Sequence, residues 1–261
     1  MPLEPELPVI SSLTLRLFAR IVRRYFKRHF RSVMTQNADR LRHSTGPLIV
    51  FGNHASWWDP LLLVLLARTL LPKQRHYAPI DAAALKRYPI LGKLGLFPVD
   101  VNTSKGAAQF LRTARAVLRE GSVLWITPQG RLADPREFPL RFRPGLAALA
   151  ARFPEVPLLP MAVEYTFWDE RLPETLVRFG EPLYGDSEFP SERLNPQLEG
   201  ALAAEMLELQ KISCLRDPSA FETLMTGGRG TGGLYGWSRR LRTLLTRKQV
   251  PLDHADRMRL L

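Results

Sequence analysis

The sequence predicts an α/β domain with a mixed, mostly parallel sheet flanked by helices and preceded by an N-terminal amphipathic helix. Three observations carry this expectation. Short continuous apolar runs, of which 47–51 (PLIVF) is the clearest, have the length and composition of buried strands. Longer segments between them place apolar residues three and four apart, the period of a helix with one buried face. Gly, Pro and Asp punctuate the joins, and strand–helix alternation of this kind builds parallel pairing. The chain has 261 residues, 45% apolar and 24% charged, which is ample for a core and excludes collagen-like and wholly disordered classes.

The elements follow in order. Residues 1–36 are assigned to a basic amphipathic helix. Leu17, Phe18, Ile21, Val22, Tyr25, Phe26 and Phe30 form one stripe, while Arg16, Arg20, Arg23, Arg24, Lys27, Arg28 and Arg31 fall mainly on the other side. Such a helix either lies on an anionic lipid surface or packs on its own domain with a solvated charged face; its aromatic residues weigh toward the lipid. The main domain is set at 37–226. Its first strand, Pro47 to Phe51, runs into Gly52. An apolar helix then extends to about Leu71, with Asp59 as N-cap and Pro60 in its first turn. A helix spans Ser104 to Glu120 and stops at Gly121. Strands are expected at Val123–Ile126, Val156–Val163 and Leu176–Phe179, and helices at Pro144–Phe153 and Leu198–Cys214. Residues 227–261 form a Gly-rich linker and a basic C-terminal segment, either a second surface-binding element or a solvated tail. The glycine run follows no apolar strand and lacks a phosphate-binding lysine, so it is not a nucleotide site.

The net charge is +12 and the isoelectric point about 10.4. Such a balance asks for an anionic partner, nucleic acid or membrane. The excess is local: residues 8–36 hold seven basic residues and no acid, residues 229–261 are net +6, and residues 37–228 are net +1. A near-neutral middle disfavours nucleic acid. The longest apolar stretch, from Pro60 to Leu71, is short and carries Arg68, so no membrane span is expected. Glu4 and Glu6 open the chain without a basic leader, so no signal peptide is expected either. One cysteine, Cys214, excludes a disulfide framework, points weakly to a reducing compartment and is expected in the core. The histidines outside the motif below (His29, His43, His76, His254) have no metal-ligand spacing, and no metal is expected.

In such sheets the chemistry sits on loops beyond the strand ends. Directly after the first strand comes Asn53-His54-Ala55-Ser56-Trp57-Trp58-Asp59. A carboxylate on one imidazole nitrogen fixes the tautomer and stabilises the imidazolium, and the other nitrogen is then free to take a proton from a hydroxyl. Trp57 and Trp58 read as packing residues or as an apolar rim.

The pattern Asn53-His54-x-x-x-x-Asp59 resembles the NHxxxxD motif of the glycerolipid acyltransferase family, which includes lysophosphatidate and lysophospholipid acyltransferases. Three further blocks follow in that family's order. Gly95 to Asp100 is similar to the second, a glycine before an apolar strand. Thr127-Pro128-Gln129-Gly130-Arg131 is similar to the third, and Val156-Pro157-Leu158-Leu159-Pro160 to the fourth. The resemblance covers roughly residues 45–185. It implies a glycerolipid acyltransferase-like fold and an O-acyltransferase in which His54 is the general base and Asp59 orients it, without a covalent acyl-enzyme. It implies a substrate-binding set of Asn53, Ser56, Gly95, Gln129, Gly130 and Arg131. It implies no permanently bound cofactor, acyl-CoA or acyl carrier protein as donor, a lipid acceptor, and a cytoplasmic, peripheral position on the inner face of an anionic membrane, with no nucleic-acid partner. A non-catalytic lipid-binding member of the same fold is the alternative.

The sequence departs from the family in the second and third blocks. Val101 stands where the second block ends in arginine, Gln129 where the third has glutamate, and Arg131 and Leu132 where it has Thr and Arg. Arg131, with Lys105, Arg136, Arg141 or Arg143, rebuilds an anion site, or the acceptor carries no glycerol phosphate; the missing charges lean toward the second. The segment 134–143 reads equally as a solvated loop or as part of the acceptor or carrier site.

Overall fold

The computed structural model of the chain describes residues 6–186 and 191–228, with the side chains of 191 and 192 excepted; from residue 229 on, the basic C-terminal segment lies outside them. Among the described residues, eight strands form one sheet: β1 Ser32–Gln36, β2 Leu48–Gly52, β3 His76–Asp81, β4 Leu96–Val99, β5 Val123–Ile126, β6 Leu158–Thr166, β7 Glu174–Phe179 and β8 Glu222–Thr226. Their order is β4-β3-β5-β2-β6-β7-β1-β8. Five of the seven neighbouring pairs are parallel, and β6–β7 and β1–β8 are antiparallel. The sheet is mixed and mostly parallel, as the alternating pattern implies.

Helices cover both faces. β2 shows how one strand serves both: Leu48 and Val50 point into one apolar cluster, Ile49 and Phe51 into the other. The first cluster contains the helices α1 Ser12–His29 and α3 Asp59–Leu70. The second contains α5 Ser104–Arg119, α6 Gly145–Arg152 and α7 Ser191–Cys214. Short helices α2 Ala38–Arg42 and α4 Ala82–Arg87 lie between strands, with 3₁₀ turns at Pro89–Leu94 and Pro218–Ala220. α5 begins where Thr103 accepts a hydrogen bond from the Gly106 N–H and ends before Gly121, whose φ of 73° is of the left-handed kind that glycine supplies.

The structure corrects several expectations. The N-terminal helix stops at His29, and residues 32–36 belong to the sheet: β1 pairs with β7 and β8 in its interior. The stripe of α1 is divided. Val22, Phe26 and Phe30 are fully buried against the domain, with Phe18 and Tyr25 packed beside them, whereas Leu17 and Ile21, joined by Leu13, face outward. Helix α7 starts at Ser191 rather than Leu198 and accommodates Pro196 within it. Cys214 is exposed at the end of α7 rather than buried in the core. β1, β3 and β8 and the short helices had no clear local signal. Among the described residues, no helix is long and apolar enough to cross a membrane.

Candidate active site

The site forms where β2 ends. Gly52 is required there by close approach: a Cβ would lie 2.7 Å from the Met161 carbonyl oxygen on neighbouring β6. Asn53 follows, buried, and bonds β6 through both ends of its amide. Its Nδ2 donates to the Val163 carbonyl at 2.9 Å, and its Oδ1 accepts from the Val163 N–H at 2.8 Å. These bonds fix the exit of the chain from the sheet, and the next residue is His54.

His54 Nδ1 lies 2.7 Å from Asp59 Oδ2. The Asp59 side chain does not cap α3 as expected. The residue before that helix, Trp58, already has helical φ and ψ and caps nothing, and the carboxylate turns back over its own turn. Oδ2 also accepts the Ser56 N–H at 3.0 Å, and Oδ1 accepts the Tyr165 hydroxyl at 2.7 Å. At 4% exposure the carboxylate is held almost wholly by these three donors. An ionised acceptor of this kind requires the proton on His54 Nδ1, which leaves the lone pair on Nε2. Burial first, then Asp59, push the Tyr165 phenol well above its usual range, so its O–H remains a donor.

The loop after β5 holds the His54 backbone from the other side. Gln129 Oε1 accepts the His54 N–H at 3.2 Å, and the Ala133 N–H donates to the His54 carbonyl at 2.9 Å. Gly130 has φ of 65°, and a Cβ there would come 2.6 Å from Arg143 Nε. Arg143 is tied to this loop by its N–H, which donates to the Pro128 carbonyl at 2.9 Å, and to the chain after β4 by a bond from Nη1 to the Val101 carbonyl. Arg131 pairs with Glu137, and Arg136 with Asp134. The Arg136 guanidinium holds the Asp134 carboxyl far below the usual carboxylate range.

His54, Asp59, Gly130 and Arg131 line one cavity of about 980 Å³. Its walls are apolar: Leu15 and Phe18 of α1, Leu63, Val64 and Ala67 of α3, Ala78 and Ile80 of β3. It reaches across the sheet to His76 and Trp125. Of the six expected substrate-binding residues, only Gly130 and Arg131 line it. Asn53 bonds β6, Ser56 bonds Asp59 and Trp58, Gln129 bonds His54, and Gly95 sits at the 3₁₀ turn against the His76 carbonyl. Trp58 packs inward and donates from Nε1 to the Tyr25 hydroxyl at 3.2 Å, while Trp57 is 60% exposed with its ring 6.2 Å from that of Tyr25.

Tyr165 and His76 had no sequence signal. The Tyr165–Asp59 bond spans 106 residues, and the sole hint is alternation on β6, where Met161, Val163 and Tyr165 share one face. Among the described residues, no group of three or more His, Cys, Asp or Glu is placed to hold a metal ion.

The family model described as Acyltransferase matches residues 32–164. Among solved structures, the 1-acyl-sn-glycerophosphate (LPA) acyltransferase PlsC from Thermotoga maritima is similar at 17% identity, covering 75% of this chain and 79% of that one with a TM-score of 0.57. That likeness is one of fold. No curated protein matches the chain significantly.

Proposed function

Because the chain belongs to the Acyltransferase family and is an acyltransferase, we propose that it moves a fatty acyl group from an acyl thioester to the hydroxyl of a lipid. One observation carries this reading: an oriented His54–Asp59 pair opens into an apolar cavity large enough for an acyl chain. His54 Nε2 takes the proton of the acceptor hydroxyl as its oxygen attacks the thioester carbonyl. The tetrahedral intermediate collapses with cleavage of the C–S bond. The imidazolium returns its proton to the departing thiolate, and His54 is neutral again. Asp59 stabilises the imidazolium between the two proton transfers.

The donor is acyl-CoA or acylated carrier protein, and the acceptor a lysophospholipid or another hydroxylated lipid. The departures at Val101 and Gln129 bear on this choice. Gln129 supplies an oxygen to the His54 N–H, a task that needs no charge. Arg131 and Arg136 already have carboxylate partners.

The reaction takes place at an anionic membrane surface, on its inner face. Support comes from α1, where Leu13, Leu17 and Ile21 form an outward ridge at i, i+4 and i+8 beside exposed Arg16, Arg20, Arg24 and Arg28. Trp57, in the turn between His54 and Asp59, is exposed next to that helix through its Tyr25 contact.

The test is transfer by purified protein from labelled acyl-CoA and acyl carrier protein to a panel of lysophospholipids and neutral hydroxylated lipids. In His54→Ala, kcat/KM should fall on the order of a hundredfold or more. Undiminished transfer would sink the mechanism, and no transfer by the parent with any acceptor would favour a non-catalytic lipid binder. Sedimentation with anionic vesicles tests the surface. Leu17 and Ile21 are 49% and 64% exposed, so each has about half of the roughly 1.5–3 kcal/mol of a fully buried side chain to gain at the surface, and Leu17→Ser with Ile21→Ser should weaken partitioning about ten- to a hundredfold; unchanged sedimentation removes α1 as the anchor.

A further inference from the structure

We propose that Tyr165 is a positioning residue for acyl transfer, holding the Asp59 carboxylate in the orientation that serves His54 and thereby setting the basicity of that imidazole. The proposal rests on the reading of His54 as general base. Its physical ground is how the two Asp59 oxygens are shared. Oδ2 takes both the His54 ring and the Ser56 N–H, and both of those donors come from the same short turn. Oδ1 takes the Tyr165 hydroxyl, which comes from the far end of β6. The turn alone fixes where Oδ2 lies; the second bond, from a different element, fixes the plane of the carboxylate.

Water is a poor substitute, because the carboxylate is almost wholly buried. An unpaired buried acceptor keeps its desolvation cost. The phenol itself is rigidly placed. Its ring meets Trp58 edge-on with centroids 5.3 Å apart and Phe30 at 5.9 Å, and its strand is registered on β7 by Tyr165 against Thr175. Trp58 in turn bonds Tyr25 of α1. The hydroxyl therefore arrives at Asp59 from a wall of aromatic side chains that ties the dyad to the N-terminal helix.

The consequence for His54 has a definite sign. A carboxylate that loses one of its donors concentrates charge on those that remain, and stabilises the neighbouring imidazolium more. Without the Tyr165 hydroxyl, His54 should titrate at higher pH, so that less of it is the free base at a given pH, and its ring should be less firmly oriented.

The experiment compares the parent with Tyr165→Phe, which keeps the ring and its packing. Two readouts are taken: the pH profile of kcat/KM and the direct NMR titration of the His54 imidazole. Loss of a hydrogen bond to a charged group predicts a fall in kcat of about ten- to a hundredfold. KM for donor and acceptor should stay within about twofold, since the hydroxyl touches neither. The acidic limb of the profile and the His54 titration should both move up by about half to one pH unit. Replacing Tyr165 by 3-fluorotyrosine strengthens the donor and should move the titration the other way, a measurement that stands if the phenylalanine variant folds poorly. An unmoved His54 titration in these variants overturns the proposal, as does a fall in kcat with no movement of the acidic limb. If the titration moves but the parent transfers no acyl group to any acceptor, the positioning stands and the acyltransfer reading fails.

Discussion

A histidine stands at each end of the cavity, and the two have opposite surroundings. His54 lies beyond the end of β2; His76 is the first residue of β3. Because β2, β5 and β3 run parallel, those positions are at opposite ends of the strands. His54 donates a hydrogen bond from Nδ1–H to a carboxylate and keeps the Nε2 lone pair. His76 does the reverse: Nδ1 accepts the Trp125 indole N–H at 3.1 Å, and Nε2–H donates to the Leu71 carbonyl at 2.9 Å. Burial chiefly, with Arg68 adding to it and against the Leu71 bond, lowers its pKa to about 4. The partner decides what an imidazole in this cavity can do. A carboxylate makes protonation possible and leaves a base; a carbonyl, an indole and burial fix a neutral tautomer whose nitrogens are both engaged.

The largest effect should come from removing that difference. Asp59→Asn gives His54 a neutral partner and lets the wrong tautomer form. By analogy with other oriented histidines, kcat/KM should fall on the order of 10² to 10⁴. Steady-state transfer at saturating vesicle concentration measures it. Activity within about tenfold of the parent would show that the carboxylate is not what distinguishes the two ends.

How much of this was legible in the sequence depends on the distance over which each signal acts. β2, β5 and α5 were readable because their periods are local and two of their ends are marked by Gly52 and Gly121. β1 was not, because Val33 and Met34 continue the apolar character of the helix before them and only pairing with β7 and β8 makes them a strand. β3 contains Pro79, which argues against a strand; it is tolerated in the half of β3 that pairs with β4 alone. His54 and Asp59 were readable as a pair because one turn brings them together. Their third partner, Tyr165, arrives only through the β2–β6 register, in which Gly52 lies opposite Met161. Gln129 is expected as a substrate ligand only through the resemblance of its block, whereas its position makes it a support for the His54 backbone. Sequence thus brought out the His54–Asp59 pair better than the residues that hold it, because holding is done across the sheet.

The smaller prediction concerns the other histidine and acts on stability. The folded pKa of His76, about 4, lies below its unfolded value of about 6.5. The group's contribution is therefore fully present above pH 6.5. It declines as pH falls toward 4, because the unfolded chain takes up a proton that the folded one refuses. Across that window the loss approaches about 3 kcal/mol, and at pH 4.5 it amounts to roughly 2–3 kcal/mol. His76→Gln preserves a donor and an acceptor but cannot titrate. Urea unfolding at pH 7.5 and pH 4.5 should show the parent losing more stability on acidification than the variant, by about that amount. Equal losses would mean that His76 is protonated in the folded state as readily as in the unfolded one. The contrast between the two ends of the cavity would then reduce to the presence of Asp59, with burial and the Trp125 bond contributing nothing.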